Sequence, residues 1–190
     1  MTKVSLLFAF SIVAAWAGEV HPGATVPDFK VYDSEGKAVA SADLRGSVTV
    51  VGFISTQCPV SNGYNDRMSA LFRDYASKGV KFRFINSNVN EPMSEVQSHA
   101  KSVGFPFPVF KDRDNAAADL FGAQSTPEMY VVDGSGIVRY HGAIDDSPRE
   151  PRVKVRRIRA ALDAVLAGKP VEEAETKAFG CTIKRARKST

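Results

Sequence analysis

The pattern of apolar and polar residues along the chain predicts strands that alternate with helices. The apolar, mostly β-branched run at 48–54 is typical of a strand buried on both faces. Apolar and basic residues alternate at 80–85, which predicts a strand with one solvent-facing side. Shorter strands are predicted at 26–32, 39–40 and 109–110, and the two strands of a β-hairpin at 129–132 and 137–141.

Apolar residues at helical spacing predict helices between and after these strands. The longest runs from 59 to about 78 and ends at Gly79, a usual residue type for a helix C-terminus. The others cover 94–104, 116–121 and 153–166. The predicted buried side of the last helix consists of Val155, Ile158, Leu162, Val165 and Leu166. The order β–α–β–α–β–α–β–β–α, a parallel crossover followed by a hairpin, predicts an α/β fold with a mixed sheet.

The first residues are typical of an export signal. A basic start, Met1–Lys3, precedes an apolar run from Val4 to Ala14 that is too short to span a bilayer, and Ala15–Ala17 offers a small-residue cleavage pattern. We therefore expect a signal peptide at 1–17 and an exported protein, periplasmic or extracellular, without stable membrane insertion after cleavage. The alternative is a buried N-terminal helix.

Length and charge fit one exported domain. The chain of 190 residues has a formal net charge of +4, and we expect a single domain at 18–170 and a C-terminal tail at 171–190. Basic clusters at 149–159 and 184–188 contain no aromatic residues, so no nucleic-acid partner is expected. They are interpreted as a solvated helix face and a frayed tail, with contact to an acidic partner or anionic membrane surface as the alternative.

Cys58, one of two cysteines, lies between the buried strand at 48–54 and the helix that follows it. Open α/β sheets place their chemistry beyond the carboxyl ends of the strands. Pro59 fits the first helical position, where its missing N–H costs nothing. The helix dipole and the free N–H groups there favour a thiolate, so we expect an accessible sulfur with a lowered pKa. The alternative is a small buried residue without reactivity.

Three stretches of the chain together resemble the redoxins. These are thioredoxin-fold proteins of the alkyl hydroperoxide reductase and thiol-specific antioxidant superfamily. The opening half is similar at 23–61, which ends in VVGFISTQCPVS, and the second half at 122–146, which begins GAQSTPEMYVVD. The closing GKPVEEAETKAFGCTIK resembles the tail of a peroxiredoxin-like branch. The resemblance implies a thioredoxin-like three-layer α/β/α fold with a mixed central sheet.

The site departs from the patterns of both kinds of relative. Thioredoxins have Cys-x-x-Cys, whereas here Ser61 replaces the second thiol. Peroxiredoxins have a proline at the position of Val51 and an arginine at that of Pro127, although Ser55 keeps their hydroxyl position. Thr126 and Pro127 instead match the thioredoxin pattern, in which a cis-proline faces the active cysteine. The resemblance therefore favours thiol–disulfide chemistry over peroxide reduction.

The export signal and the resemblance together predict an exported thiol–disulfide oxidoreductase with Cys58 as the attacking thiolate. Ser55, Thr56 and the backbone at the helix start would stabilise its charge. The residues expected to contact the client are Pro59, Thr126 and Pro127. The client would be a protein thiol or disulfide, electrons would come from an external thiol reductant, and no organic cofactor is implied. Two other functions stay open: peroxiredoxin-like reduction of hydroperoxides, with an antioxidant role, and a redox-inert binding module.

The second cysteine, Cys181, has three interpretations. It is a resolving thiol for Cys58, a static disulfide partner of Cys58, or an unpaired thiol far from the site. A static disulfide would stabilise the fold by on the order of 4 kcal/mol. All three interpretations stay open because disulfide connectivity is not readable from sequence. His21, His99 and His141 are scattered without ligand spacing, so no metal site is predicted.

Overall fold

A computed structural model describes residues 20–187 of the chain. The predicted signal peptide at 1–17 lies outside these residues. Among the helices of the described part, none has the length and apolar character needed to cross a membrane.

The strands are β1 (Lys30–Tyr32), β2 (Ala38–Ala40), β3 (Thr49–Ile54), β4 (Lys81–Asn86), β5 (Val109–Lys111), β6 (Ser125–Thr126), β7 (Glu128–Val132), β8 (Val138–Gly142) and β9 (Cys181–Thr182). The α-helices are α1 (Pro59–Asn62), α2 (Asn65–Ala76), α3 (Met93–Ser102), α4 (Ala116–Phe121) and α5 (Arg157–Leu166). Short 3-10 helices cover Ser41–Leu44 and Glu150–Arg152.

One mixed sheet joins seven of these strands in the order β2–β1–β5–β4–β3–β7–β8, and β6 pairs separately with β9. The central strand β3 runs parallel to β4 and antiparallel to β7. Every residue of β3 is buried, as its β-branched composition predicts. Because β3 and β4 are parallel, their carboxyl ends meet at one edge of the sheet, and the chain leaves β3 there toward Cys58.

Helices cover both faces of the sheet. Met68 and Leu71 of α2 and Ile158 and Leu162 of α5 pack into one hydrophobic cluster. Phe121 of α4 belongs to a second cluster, which contains side chains from the other face of the same strands. The predicted three-layer α/β/α arrangement with a mixed central sheet is therefore confirmed.

The prediction of one helix over 59–78 is wrong, because the helix breaks in two at Gly63 and Tyr64. Tyr64 is buried, and the guanidinium carbon of Arg67 lies 3.6 Å from the centre of its ring. Arg67 also pairs with Asp145, with 2.7 Å between nitrogen and oxygen, and donates to the Gly63 carbonyl at 3.2 Å. These contacts between remote segments hold the break in place.

The last helix is shorter than its apolar pattern predicts. It begins at Arg157, after a 3-10 helix, rather than at residue 153. Ile158 and Leu162 are buried as expected, whereas Val155 is 46% exposed and Leu166 is 39% exposed. Val155 lies before the helix, so helical spacing does not govern where its side chain points.

Two of the predicted strands also differ from expectation. The strand predicted at 26–32 is regular only over Lys30–Tyr32. The expected solvent-facing side of β4 is wrong at Arg83, which is buried with its guanidinium carbon 4.4 Å from the centre of the Phe110 ring. Stacking on an aromatic face allows the flat guanidinium to leave water.

The tail beyond β9 is bound to the domain rather than frayed, up to the last described residue. Ile183 is buried in the cluster that contains Phe121. The Lys184 backbone N–H donates to the Asn88 side chain at 2.7 Å, and Arg185 forms an ion pair with Asp119. The interpretation of a frayed tail is therefore wrong for Ile183, Lys184 and Arg185, each of which contacts the domain.

Candidate active site

Cys58 lies just beyond the carboxyl end of β3, as the sequence predicts. It is the N-cap residue of α1, and Pro59 takes the first helical position. The Ser61 backbone N–H donates to the Cys58 sulfur at 3.3 Å. An N–H group of the first helical turn has no partner within the helix and favours a negative charge on its acceptor. This contact therefore stabilises a thiolate at Cys58.

The opposite wall of the site is the segment before Pro127. The peptide bond between Thr126 and Pro127 is cis, as predicted. The Cys58 thiol donates to the Thr126 carbonyl oxygen at 3.2 Å. The structure therefore brings together the helix start and the proline segment, which the resemblance had assigned to one site.

The expectation of an accessible sulfur is wrong, because Cys58 is only 3% exposed. The tail strand β9 covers it: β9 pairs with β6 so that Cys181 lies opposite Thr126. The surroundings of the sulfur are nevertheless polar, since the Ser61 N–H and the Thr126 carbonyl contact it. Cys58 is thus buried by a short polar strand rather than sealed within the apolar core.

The two cysteines are free thiols that meet at Thr126, because the Cys58 thiol contacts the Thr126 carbonyl and Cys181 pairs with Thr126 across β6 and β9. This excludes the interpretation that Cys181 lies far from Cys58. Burial raises the pKa of Cys58, but the neighbouring Cys181 side chain and the hydrogen bond from the Ser61 N–H outweigh it, so the pKa lies below its ordinary value. The neighbouring Cys58 side chain, together with burial, raises the pKa of Cys181. Cys58 is therefore the thiol that ionises first.

A buried carboxylate that the sequence analysis missed, Glu91, holds the loop before Cys58. Glu91 is 1% exposed. It accepts hydrogen bonds from the Ser55 hydroxyl at 2.6 Å, the Thr56 backbone N–H at 2.8 Å and the Asn88 side chain at 2.8 Å. Burial raises the pKa of Glu91, but the hydrogen bonds from Ser55 and Thr56 outweigh it and the pKa falls. Glu91 is therefore an ionised anchor for this loop.

The hydroxyls of Ser55 and Thr56 donate to carboxylates rather than to the sulfur. The Ser55 hydroxyl donates to Glu91, and the Thr56 hydroxyl donates to Glu95 at 2.6 Å. The Ser55 oxygen also accepts from the Cys58 backbone N–H at 3.0 Å. In the structure, both residues therefore position the backbone around Cys58 instead of contacting its side chain.

Comparison with known proteins places this geometry in a family. Residues 22–141 match the model of the AhpC/TSA family. The matched residues make up well over half of the 190-residue chain. The chain belongs to the AhpC/TSA family. The match includes Cys58 and the Thr126–Pro127 segment but ends before β9, so Cys181 lies outside the part that the family model covers.

Named relatives of this AhpC/TSA chain are thiol–disulfide enzymes. Thiol-disulfide oxidoreductase ResA from Geobacillus thermodenitrificans is 30% identical over 117 residues, which are 62% of this chain and 66% of ResA. A thiol:disulfide interchange protein of the thioredoxin family from Chlorobium tepidum TLS has a TM-score of 0.60 and 25% identity, with 78% of this chain and 99% of that chain covered. The names of these relatives agree with the predicted class, a thiol-dependent oxidoreductase, and the structural match confirms the thioredoxin-like fold.

A third relative is similar over nearly the whole described chain. The crystal structure of an uncharacterized conserved protein from Geobacillus kaustophilus has a TM-score of 0.82 and 33% identity, and the alignment covers 88% of this chain and 94% of that chain. The curated relative ResA is matched over only about two thirds of its length. The alignment with the uncharacterized protein therefore extends over more of this chain than the alignment with ResA.

Gly180→Ala is expected to separate Cys181 from Cys58. A Cβ atom at Gly180 would lie 2.0 Å from the Thr126 carbonyl oxygen and 2.5 Å from the Thr126 carbonyl carbon. A Cβ atom at Gly134 would have its nearest neighbour at 3.4 Å, an ordinary contact distance. Because backbone atoms cannot rotate away, the variant must move β9 off β6 and uncover the sulfur of Cys58. We expect iodoacetamide to alkylate Cys58 several-fold faster than in the wild type, whereas the matched control Gly134→Ala is unchanged. An unchanged alkylation rate in Gly180→Ala would contradict the conclusion that β9 covers the Cys58 sulfur.

Proposed function

We propose that this chain is an exported thiol–disulfide oxidoreductase in which Cys58 attacks and Cys181 resolves. The observation that carries the proposal is the meeting of both cysteines at Thr126: the Cys58 thiol donates to its carbonyl at 3.2 Å, and Cys181 lies opposite it in the β6–β9 pair. The pKa is lowered at Cys58 and raised at Cys181. A nucleophile must ionise at neutral pH, and a resolving thiol must lie within reach of it. Ser61, which occupies the second position of the thioredoxin motif, has no thiol, and the tail supplies one from the other side.

Reduction of a client disulfide proceeds by two exchanges. The Cys58 thiolate attacks one client sulfur, the client S–S bond breaks, and the leaving thiolate takes up a proton. Cys181 then loses its proton and attacks the Cys58 sulfur, which releases the second client thiol and leaves a Cys58–Cys181 disulfide. The client gains two electrons and two protons, and the chain loses them. An external thiol reductant restores both thiols, and the same steps run in reverse with a dithiol client.

The client takes the place of the tail strand in this proposal. The sequence predicts that Thr126 and Pro127 contact the client, and in the structure β9 lies against this segment, paired with β6. The ladder is only two residues long, so a client that separates β9 from β6 breaks few hydrogen bonds of this pair, while Ile183 and Lys184 still hold the tail to the domain just beyond it. Return of the tail then brings Cys181 back to the mixed disulfide at Cys58.

Relative rates with two oxidants test the proposed reaction. Val51 and Pro127 occupy the positions of the peroxiredoxin proline and arginine, so the cation that would polarise a peroxide is not supplied there. We expect the reduced full chain to reduce a small disulfide such as dithiobis(nitrobenzoic acid) rapidly. We expect it to consume hydrogen peroxide no faster than a free thiol does. Rapid peroxide consumption would favour the peroxidase instead, and absence of both reactions would favour the redox-inert binding module.

A further inference from the structure

Two histidines that lie far apart in the sequence meet beside the C-terminal tail. His21 precedes the first strand, His141 lies on β8 and Glu175 lies in the tail. The ligating atoms of these three residues all lie within 4.8 Å of one another. Backbone hydrogen bonds hold the tail against β8: the His141 N–H donates to the Ala174 carbonyl at 2.9 Å, and the Thr176 N–H donates to the His141 carbonyl at 2.9 Å.

His141 is oriented in the way that metal-binding histidines usually are. Its Nε2 atom contacts the Glu128 carboxylate at 2.8 Å. Glu128 is buried and also accepts from the Tyr130 hydroxyl at 3.0 Å. The His141 ring stacks on the Tyr130 ring, with 4.4 Å between centroids and an angle of 7°. In the tautomer that donates Nε2–H to the carboxylate, Nδ1 is the atom that can bind an ion, as in the carboxylate–histidine pairs of zinc sites.

The separations at Nδ1 fit a tetrahedral ion. The Nδ1 atom of His141 is buried without a hydrogen-bond partner, and such an atom calls for a bound group or water. The Glu175 Oε1 atom lies 3.5 Å from it and 3.1 Å from Nδ1 of His21. Two ligand atoms that are each about 2.1 Å from a tetrahedral zinc ion lie about 3.4 Å apart. Both measured separations are close to that value.

We propose that His21, His141 and Glu175 bind a Zn²⁺ ion, with Glu128 as the outer carboxylate that orients His141. Two imidazole nitrogens and one carboxylate oxygen form a set that zinc accepts. The side chains of His21 and Glu175 are 54% and 53% exposed, which leaves the fourth position open to water. Sequence spacing did not predict the site because the ligands come from three remote segments.

A zinc ion at this site joins the N-terminal segment, β8 and the tail. Glu175 lies six residues before Cys181 along the same tail. Zinc therefore fixes the segment that carries the second thiol, although the site itself is independent of the redox reaction and does not rest on the proposed function.

Calorimetric titration of the full chain with zinc chloride tests the site. The parent is the double variant Cys58→Ser, Cys181→Ser, so that zinc cannot bind to the thiols. We expect one zinc ion per chain, and binding weaker by at least about tenfold in His21→Ala and in Glu175→Gln, since loss of even an outer-shell partner costs roughly 10- to 100-fold. Both side chains are half exposed, so these substitutions leave the core intact. His99→Ala, outside the cluster, is the matched control and is expected to bind like the parent.

Cobalt provides a second readout. Co²⁺ at the site is expected to give the intense visible absorption of tetrahedral coordination, and Glu128→Gln is expected to weaken binding by about 10- to 100-fold through the orientation of His141. Absence of saturable zinc binding would overturn the proposal. Binding that His21→Ala and Glu175→Gln leave unchanged would equally overturn it, because the ion would then be bound adventitiously.

Discussion

Cys58→Ser is expected to reduce thiol–disulfide exchange to the uncatalysed rate, a loss of several orders of magnitude. A serine hydroxyl does not ionise at neutral pH and does not form the mixed disulfide on which both exchanges depend. The remaining thiol, Cys181, lies on β9 rather than at the helix start, so it lacks the Ser61 N–H that contacts the Cys58 sulfur and does not replace the nucleophile. The measurement is the initial rate of reduction of a protein disulfide, such as insulin, with dithiothreitol as the reductant.

The structure supplies the control for this experiment. Serine keeps the size of the side chain and its contacts with the Ser61 N–H and the Thr126 carbonyl, so the unfolding midpoint should shift little. A folded Cys58→Ser variant with substantial residual exchange would show that Cys58 is not the nucleophile.

Cys181→Ser is expected to stop the reaction halfway. The Ser61 N–H still donates to the Cys58 sulfur, so the first attack proceeds, but no thiol remains to resolve the mixed disulfide. Incubation with oxidised glutathione should therefore leave glutathione attached to Cys58 in nearly every chain, as measured by intact-protein mass. The steady-state exchange rate falls to that of resolution by the external reductant alone.

A thiol at the thioredoxin position provides a rescue. Ser61 is buried, and its backbone N–H donates to the Cys58 sulfur at 3.3 Å, so Ser61→Cys places a second thiol beside the first. In the Cys181→Ser background we expect Ser61→Cys to release the trapped glutathione and restore exchange. Persistence of the adduct in this double variant would indicate that the trap has a cause other than a missing resolving thiol.

The central architecture was predictable from the sequence because local patterns determine it. The β-branched run before Cys58 is buried in β3, and the turn between β7 and β8 matches its sequence. The break at Tyr64 and the burial of Arg83 were not predictable in this way. Both depend on partners remote in the chain. Asp145, acting through Arg67, holds the break at Tyr64, and the Phe110 ring holds the guanidinium of Arg83.

The candidate site divides in the same way. The strand-to-helix position of Cys58 follows from local sequence, and the cis bond before Pro127 from the resemblance. The burial of the Cys58 sulfur and the role of Glu91 follow from neither. The tail covers the sulfur, and the loop at Ser55 reaches Glu91, only in the folded chain. No spacing within the tail indicates that Gly180 lets β9 approach Thr126 so closely.

Disulfide mapping of the wild-type chain tests the central claim most directly. After brief exposure of the reduced protein to oxidised glutathione and acid quenching, peptide mass analysis should find a Cys58–Cys181 disulfide and little bound glutathione, and dithiothreitol should return both residues to free thiols. A stable glutathione adduct on Cys58 with Cys181 still reduced would contradict the claim that the tail thiol completes the exchange.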